Sequence, residues 1–277
     1  MKLAFSTLGC PNWDLPTIAA AAERYGFAGV ELRAVAGELH LLSRPEFQPA
    51  AVEKTRRWLV EKSIDICCVD TSCRFDSPDT NERNAQVEVA VRHTELAAAL
   101  GSSLIRVFPD TIHADSTREK TRDNIVDSLR AVALRASAGV KVGLETHGDF
   151  ARGSVAAEIV RLANHPNVVL IWDVANSLAA GDSIEQAARE VAPFLSHVHL
   201  RDARPNDGQQ HWLPVLAGTG KVSFQDALAA LRGLEYDGYI SFEWEKYWHP
   251  EIEEPEVAFP NFVAAMKEAT TLARITR

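Results

Sequence analysis

The chain has 277 residues, of which 46% are hydrophobic, and this is enough for one large α/β domain with a substantial core. Its 29 basic and 38 acidic residues give a formal charge of −9, which disfavours binding to nucleic acid or to an anionic membrane. No stretch approaches the roughly 20 apolar residues of a membrane span. The four cysteines lack a metal-type CxxC spacing, so we expect a cytoplasmic protein with reduced thiols.

Short apolar segments alternate with longer amphipathic segments along the chain. The segments predicted to be strands are 2–7, 29–33, 64–71, 103–108, 141–147, 168–175, 195–202 and 239–245. The predicted helices are 15–25, 49–62, 82–100, 117–137, 154–163, 183–191 and 224–232, with a closing helix at 260–273. Gly101 is a typical stop signal for the third helix, and Ser183 with Gln186 resembles a capping box at the start of the sixth.

The repeated strand and helix units predict an α/β protein with a single (β/α)8 barrel over residues 1–277. A doubly wound sheet is the alternative, but the chain lacks the glycine-rich loop of dinucleotide-binding sheets. Barrel enzymes carry their chemistry at the carboxyl ends of the strands. The ionisable side chains at those ends are therefore the candidates for function.

Four consecutive predicted strands end in a potential metal ligand. Alternation along the fifth and eighth strands places Glu145 and Glu243 on the inner face, and Asp173 and His199 end the two strands between them. Three carboxylates inside a barrel would repel one another unless a cation compensated them. The ligand set predicts one divalent ion, with Mn²⁺, Mg²⁺, Co²⁺ and Zn²⁺ all compatible.

Further polar residues at strand ends are candidates for substrate contacts. Arg106 ends the fourth strand and is expected to bind either an anionic substrate group or a carboxylate beside the metal. His147 has the same inward parity as Glu145, which suits a contact with a substrate hydroxyl, a proton carrier or an entrance position. The planar guanidinium of Arg201 suits a substrate carboxylate or vicinal oxygens, with a salt bridge as the alternative.

Three other features allow more than one interpretation. Glu31 and Arg33 end the second strand on one face, and we expect an internal ion pair between them. The glycines of 217–221 suggest a phosphate-accepting loop, but the P-loop pattern is incomplete and a tight loop is the default. The aromatic segment 244–250 suits the wall of a sugar site, a cover over the barrel rim or a contact with a second subunit.

Four motifs carry a family resemblance. They are Gly143-Leu-Glu-Thr-His, Trp172-Asp-Val-Ala-Asn, His197-Val-His-Leu-Arg-Asp and Tyr236-Asp-Gly-Tyr-Ile-Ser-Phe-Glu. In this order they resemble the strand-end motifs of the xylose isomerase-like barrels, the sugar phosphate isomerase/epimerase superfamily. The resemblance covers nearly the whole chain, and it is specific for the fold and the metal site but much less so for the substrate.

The resemblance implies a role for each matching residue. The metal ligands would be Glu145, Asp173, His199 and Glu243, with His197 one layer deeper. Glu145 and Glu243 would also exchange a proton with the substrate carbon, one on each face, next to a carbonyl that the metal polarises. A homodimer or tetramer is also compatible with the family.

Two positions depart from the family pattern. Many epimerases of the family have a histidine three residues after the aspartate of the sixth strand, where this chain has Asn176. An amide donates hydrogen bonds to a hydroxyl but does not relay protons near neutral pH, which argues against a plain ketose 3-epimerase. Arg201 stands where lysine is frequent in the family. The predicted substrate-binding residues are Arg201, Asn176, His147 and Arg106.

The leading functional hypothesis is a metal-dependent isomerase or epimerase of carbohydrate metabolism that acts on a sugar, ketose or polyol. A lyase or dehydratase with the same site, acting on a keto-sugar or an inosose, is the alternative. Two weaker alternatives are a DNA-repair endonuclease, which the few histidines and the negative charge disfavour, and a non-catalytic sugar binder.

Overall fold

The computed structural model describes residues 1–206 and 211–275, and eight of its strands are parallel and close into a barrel. The barrel strands are β1 (Lys2–Ser6), β2 (Gly29–Leu32), β3 (Asp65–Arg74), β4 (Leu104–Phe108), β5 (Lys141–Glu145), β6 (Val168–Asp173), β7 (Leu195–His199) and β10 (Tyr239–Phe242). β8 (Asp202–Arg204) and β9 (Leu213–Val215) form a separate antiparallel pair. Closure is complete because β1 pairs with both β2 and β10. The predicted (β/α)8 barrel is confirmed.

The helices lie between and after the strands. They are α1 (Leu15–Tyr25), α2 (Val52–Glu61), α3 (Thr80–Leu100), α4 (Arg118–Ala133), α5 (Gly153–Ala163), α6 (Val174–Ala179), α7 (Ile184–Val191), α8 (Phe224–Gly233) and α9 (Pro255–Ile275). Gly101 ends α3 at a φ of 83°, and the Ser183 side chain accepts a hydrogen bond from the Gln186 N–H at the start of α7. Both predicted helix signals are confirmed. No helix in the described ranges is long and apolar enough to cross a membrane.

Several predicted element boundaries are wrong, and two of them have a clear physical cause. The seventh barrel strand ends at His199 rather than at residue 202, because Asp202 begins the β8–β9 pair. The closing helix starts at Pro255 rather than Pro260, and Pro260 lies inside it. Pro255 is the first residue of the helix, where a proline loses no hydrogen bond. The fully buried Phe259 and Phe262 pack on Phe5 and Phe242, respectively, which anchors α9 on both sides of its internal proline.

The inside of the barrel is apolar on one level and polar above it. Cys68, Leu104, Val169 and Ile171 form a buried cluster separate from the main core. Residues two positions further along the same strands share that inward face, and these are Asp70, Arg106, Ile171 and Asp173. The inner face therefore becomes charged toward the carboxyl ends of β3, β4 and β6.

Candidate metal centre and active-site cavity

The four predicted metal ligands lie together at the carboxyl end of the barrel. Ligand atoms of Glu145, Asp173, His199 and Glu243 are all within 4.8 Å of one another, and all four residues are buried. The strand register explains the convergence, because His199 lies beside both Asp173 and Ser241 in its neighbouring strands. Glu145, Asp173 and His199 each end a strand, and Glu243 directly follows β10.

His199 is oriented by a carboxylate that the sequence analysis did not assign to the site. Its Nε2 lies 3.0 Å from Oε2 of Glu31, and the same oxygen lies 2.7 Å from Nε2 of His197. The other ring nitrogen, Nδ1, lies 3.4 Å from Glu243 and 3.7 Å from Glu145. Donation from Nε2 to Glu31 leaves the Nδ1 lone pair facing the carboxylates, as in the carboxylate and histidine pairs of metal sites.

The predicted ion pair between Glu31 and Arg33 is wrong. Burial alone would raise the pKa of Glu31, but His199 and His197 outweigh it and hold the pKa well below its usual range. Arg33 instead donates to the Ser72 hydroxyl at 2.8 Å. Parity along a strand predicts a shared face, but it does not identify the partner that the opposite side of the barrel supplies.

Asp173 has one oxygen committed to the backbone and one without a partner. Its side chain caps α6, because Oδ1 accepts a hydrogen bond from the Asn176 N–H at 2.7 Å. Oδ2 is buried and has no hydrogen-bond partner in the described part of the chain. Burial, together with Glu243 and Glu145, raises the pKa of Asp173 to about 7 despite the nearby Arg201.

The donor set fits a divalent cation. The buried Nδ1 of His199 and Oδ2 of Asp173 both lack hydrogen-bond partners among the described residues. They lie within one cluster with the carboxylates of Glu145 and Glu243. Three carboxylates and one imidazole suit Mn²⁺, Mg²⁺, Co²⁺ or Zn²⁺.

Arg106 connects several buried carboxylates. Its Nη1 lies 2.8 Å from Oε2 of Glu145 and 3.8 Å from Oε1 of Glu243, and its Nη2 lies 3.4 Å from Oδ2 of Asp70. Burial alone would raise the pKa of Glu145, but Arg106 outweighs it and the pKa lies far below its usual range. The contact with Glu145 corresponds to the carboxylate alternative for Arg106, while contact with substrate stays a prediction.

Arg201 and Asn176 form a polar chain beside the ligands. Arg201 donates to Oε1 of Glu245 at 2.8 and 3.1 Å, and to Oδ1 of Asn176 at 3.2 Å. The Asn176 amide donates to the Thr146 carbonyl at 3.2 Å and to Oε1 of Glu145 at 3.5 Å. The salt-bridge alternative for Arg201 is therefore present, with Glu245 as the partner, and its contact with substrate stays a prediction.

A cavity of about 360 Å³ opens above the cluster. The residues that line it are Leu8, Arg33, Ser72, Arg74, Arg106, Phe108, Asp110, Glu145, His147, Asn176, Glu243, Glu245 and Trp248. The volume falls within the range of about 300–1,000 Å³ that is usual for small-molecule sites. Five of the six predicted catalytic or substrate-binding residues, all except Arg201, are among these lining residues.

His147 lies on the cavity wall and is half-buried. Its Nδ1 is 3.1 Å from Oδ1 of Asp110, and its ring packs against Phe108 with the centroids 4.6 Å apart. Burial lowers the pKa of His147, but Asp110 and Glu145 outweigh burial and raise it above the usual range. The position is compatible with each of the three roles predicted for it.

The glycine-rich loop at 217–221 binds an internal anion. Asp202 accepts hydrogen bonds from the backbone N–H groups of Ala203, Gly218, Gly220 and Val222 at 2.8–3.0 Å. Gly218 has a φ of 89°, and a Cβ at Gly220 would collide with the Asp202 carboxylate. The default interpretation as a tight loop is therefore correct, because the donors that would bind phosphate are already satisfied.

Several residues near the predicted site were not assigned to it from the sequence. Glu31 contacts His199 and Asp70 contacts Arg106, while Ser72 and Glu245 line the cavity. Inward parity on β3 points to Asp70, two residues beyond Cys68. The aromatic segment 244–250 contains the signal for Trp248, which lies at the cavity as one of its three interpretations expected.

Comparison with protein families decides the classification. The family model for the xylose isomerase-like TIM barrel matches residues 19–269. The chain belongs to the xylose isomerase-like TIM barrel family. The resemblance carried by the four strand-end motifs is thereby confirmed. A curated relative, an uncharacterized protein of Methanocaldococcus jannaschii, is 26% identical over 172 residues, or 58% of this chain.

Solved structures share the fold of this xylose isomerase-like barrel. A D-tagatose 3-epimerase-like protein has a TM-score of 0.79 at 20% identity, covering 100% of this chain and 99% of its own. The IOLI protein with a binding zinc atom has a TM-score of 0.77 at 19% identity, with 99% and 98% covered. The probable 3-DHS dehydratase AsbF of Bacillus anthracis has a TM-score of 0.75 at 19% identity, with 98% and 99% covered.

Some similar chains are longer than the matched region. The match covers 57% of the curated relative. It also covers 44% of a fusion of a xylose isomerase-like TIM barrel with 4-hydroxyphenylpyruvate dioxygenase, at a TM-score of 0.78 and 20% identity. At these identities the solved structures establish the fold of the chain and leave its activity to be proposed.

Proposed function

We propose that the protein is a divalent-metal-dependent isomerase or epimerase that moves a proton at a carbon next to a carbonyl in a ketose or polyol-derived substrate. The observation that carries the proposal is the convergence of Glu145 and Glu243 with Asp173 and His199, all within 4.8 Å, at the floor of a small-molecule cavity. A zinc-binding protein and an epimerase-like protein of the same fold support it.

Glu145, Asp173, His199 and Glu243 would hold the ion. When bound, the ion would polarise a neighbouring carbonyl or hydroxyl oxygen and make the hydrogen on the adjoining carbon acidic. The Nδ1 of His199 and the Oδ2 of Asp173 are the buried atoms that such an ion would satisfy. Glu31 would keep His199 in the orientation that presents Nδ1.

Glu145 and Glu243 would take and return the proton. Both carboxylates line the cavity, so each is within reach of a bound substrate carbon. Arg106 stabilises Glu145 as an anion, which keeps it ready to accept a proton. Two carboxylates that exchange a proton on opposite faces of one carbon would invert its configuration, while return to a neighbouring carbon would give an isomer.

Elimination is a second candidate that a specific arrangement favours. His147 lies beside Asp110 with a raised pKa, which suits a proton donor to a departing hydroxyl group. Asn176, in the position where many epimerases of the family have histidine, is hydrogen-bonded to Arg201 and Thr146 and transfers no proton near neutral pH. A probable dehydratase with the same fold adds support.

Deuterium exchange in D₂O tests the proposal. D-fructose, D-tagatose and their six-carbon acid counterparts D-fructuronate and D-tagaturonate are incubated with the Mn²⁺-loaded enzyme and with enzyme treated with a chelator. We expect deuterium at a carbon next to the carbonyl of at least one compound, only with metal. A product that differs from the substrate only by the incorporated deuterium indicates epimerisation or isomerisation, and loss of water indicates elimination. Absence of exchange in every compound would contradict the proposal.

A further inference from the structure

Arg33 is a buried guanidinium on the wall of the active-site cavity. It follows β2 directly, is 3% exposed and lines the same cavity as Glu145 and Glu243. Its backbone is fixed by Thr7, whose hydroxyl oxygen accepts hydrogen bonds from the N–H groups of Arg33 and Ala34 at 2.8 and 2.9 Å. The position of the side chain is therefore set by the barrel itself.

The guanidinium of Arg33 lacks a carboxylate partner among residues 1–206 and 211–275. Nη2 donates to the Ser72 hydroxyl at 2.8 Å, while Nη1 is buried with no hydrogen-bond partner. The other two arginines of the cavity wall are paired, Arg74 with Asp110 at 3.0 Å and Arg106 with Glu145 at 2.8 Å. Among the arginines of the cavity wall, Arg33 is the one without a salt-bridge partner in the described structure.

A buried charge without a partner destabilises a fold unless something else compensates it. Burial and the positive charge of Arg106 lower the pKa of Arg33 to about 10, although Asp70, Glu243 and Glu145 oppose this. Arg33 lines the cavity where a ligand would be bound. The missing partner can therefore come from the ligand.

We propose that the substrate carries a carboxylate that binds Arg33, so that the enzyme acts on a hydroxylated keto acid rather than on a neutral sugar. This inference rests on the proposed function for the reaction at Glu145 and Glu243. In this arrangement Arg33 and the Ser72 hydroxyl hold the acid end of the substrate, and the carbonyl end lies toward the metal ligands. A planar guanidinium matches a carboxylate through paired hydrogen bonds.

The surroundings favour a carboxylate over a phosphate monoester. The loop whose N–H groups resemble a phosphate site is already bonded to Asp202. Asp110, Glu145, Glu243 and Glu245 also line the cavity, and they would repel a dianion more strongly than a monoanion. One free guanidinium nitrogen with one hydroxyl suits a singly charged group.

Binding of two matched compounds without a carbonyl tests the inference independently of turnover. D-gluconate and D-glucitol differ in having a carboxylate or a hydroxymethyl group at one end, and D-glucitol 6-phosphate adds a phosphate. Isothermal titration calorimetry on the Mn²⁺-loaded protein compares wild type, Arg33→Gln and Arg33→Lys. Arg57→Gln is the control, because Arg57 is an exposed arginine of α2 and removes the same charge outside the cavity.

We expect wild type and Arg57→Gln to bind gluconate at least about tenfold more tightly than glucitol, as charge-assisted hydrogen bonds predict. Arg33→Gln should reduce that preference below about threefold. The gluconate preference of Arg33→Lys should lie between those of wild type and Arg33→Gln, because lysine keeps the charge but lacks the planar pair of guanidinium donors. Arg33→Gln removes a buried charge without a salt-bridge partner among the described residues, so we expect it to fold with the same thermal midpoint or a higher one.

Three results would overturn the inference. They are equal binding of gluconate and glucitol by wild type, a gluconate preference that survives in Arg33→Gln, and Arg33-dependent binding of the 6-phosphate that is tighter than that of gluconate. The proposed reaction is tested separately, by deuterium exchange. A carboxylate preference without deuterium exchange in any compound refutes the reaction and keeps the ligand class, whereas exchange of neutral ketoses by wild type together with equal binding of gluconate and glucitol keeps the reaction and refutes the ligand class.

Discussion

The carboxylate of Glu31 orients His199 toward the other predicted metal ligands. One Glu31 oxygen contacts both His197 at 2.7 Å and His199 at 3.0 Å, and all three side chains are buried. The arrangement fixes which ring nitrogen of His199 faces Glu145 and Glu243. Glu31 thus acts as a positioning residue, and His197 supports it from one layer deeper, as the sequence predicted.

Replacing Glu31 by Gln should weaken divalent-metal affinity by about 10–100-fold, because loss of the carboxylate lowers the basicity and the order of the His199 ring. Competition with a fluorescent chelator measures the dissociation constant for Mn²⁺. Glu53→Gln is the matched control, since Glu53 is an exposed glutamate of α2. Equal affinity in wild type and Glu31→Gln would show that the contact does not support the site.

Glu243→Gln should lower the rate of proton exchange by at least about 100-fold, because an amide cannot accept the proton from the substrate carbon. The measurement is deuterium incorporation with metal at saturation, so that a loss of metal affinity is separated from a loss of the base. Glu190→Gln, at an exposed position of α7, is the control. Full activity in Glu243→Gln would exclude Glu243 as a base. If wild type showed no activity and Glu243→Gln bound ligand as tightly as wild type, a non-catalytic sugar binder would be favoured.

The sequence predicted which side chains converge better than it predicted their individual contacts. Inward parity at strand ends was sufficient to bring Glu145, Asp173, His199 and Glu243 to one place, because alternation in a strand is a local rule. The partners of Glu31 and Arg33 were not predictable in this way. Glu31 meets histidines more than 160 positions away in the chain, across the barrel, and local alternation carries no information on that distance.

At the level of elements, the loop after β7 depends on Asp202. The expected extension of the strand through Asp202 fails because Asp202 begins the β8–β9 pair and its carboxylate accepts hydrogen bonds from four backbone N–H groups. The short helix α6 was also missed, since its six residues give too little periodicity, although Asp173 is an ordinary cap residue. Long periodic helices such as α1 and α5 were predicted to within one residue at each end.

Asp202→Ala should lower the free energy of unfolding by about 2–4 kcal/mol, because several N–H groups lose a charged acceptor. Denaturation by urea measures the change. Asp237→Ala is a suitable control, because Asp237 is exposed and the effect of such surface changes is usually within about 0.5 kcal/mol. A change in Asp202→Ala no larger than in the control would show that the loop holds its shape without the carboxylate.

Buried His93 on α3 predicts a pH dependence of stability. Burial lowers its pKa to about 4, although a hydrogen bond to the Val89 carbonyl opposes this. The unfolded chain therefore binds a proton below about pH 6.5, where the folded protein does not. Stability should fall as the pH drops from about 6.5 to 4, by at most about 3 kcal/mol from this group.

His93→Asn tests that dependence, because the amide nitrogen of Asn can donate to the Val89 carbonyl and does not titrate. Urea unfolding at pH 7 and at pH 4.5 gives the loss of stability for each protein. The loss should be smaller in His93→Asn than in wild type. An identical loss in both proteins would show that His93 is not responsible for it.

At the scale of the whole molecule, closure of the barrel brings distant charged groups together. The four predicted ligand residues lie on or directly after four adjacent strands, β5, β6, β7 and β10, so their convergence depends on the order of strands in the closed barrel. The buried carboxylates are partly balanced by Arg106 and Arg201, and the pKa of Asp173 is nevertheless raised to about 7. Repeated strand and helix units made this architecture predictable, whereas the proposed substrate class rests on Arg33, which has no salt-bridge partner among the described residues.

The anomalous difference density of a crystal grown with Mn²⁺ tests the proposed metal site most directly. We predict one strong peak for each chain, bonded to Nδ1 of His199 and to carboxylate oxygens of Glu145, Asp173 and Glu243. Manganese-to-ligand distances of about 2.0–2.3 Å would be typical of such a site. The absence of a peak among these four residues at millimolar Mn²⁺, or a peak bonded to other residues, would contradict the proposed metal site and the function that rests on it.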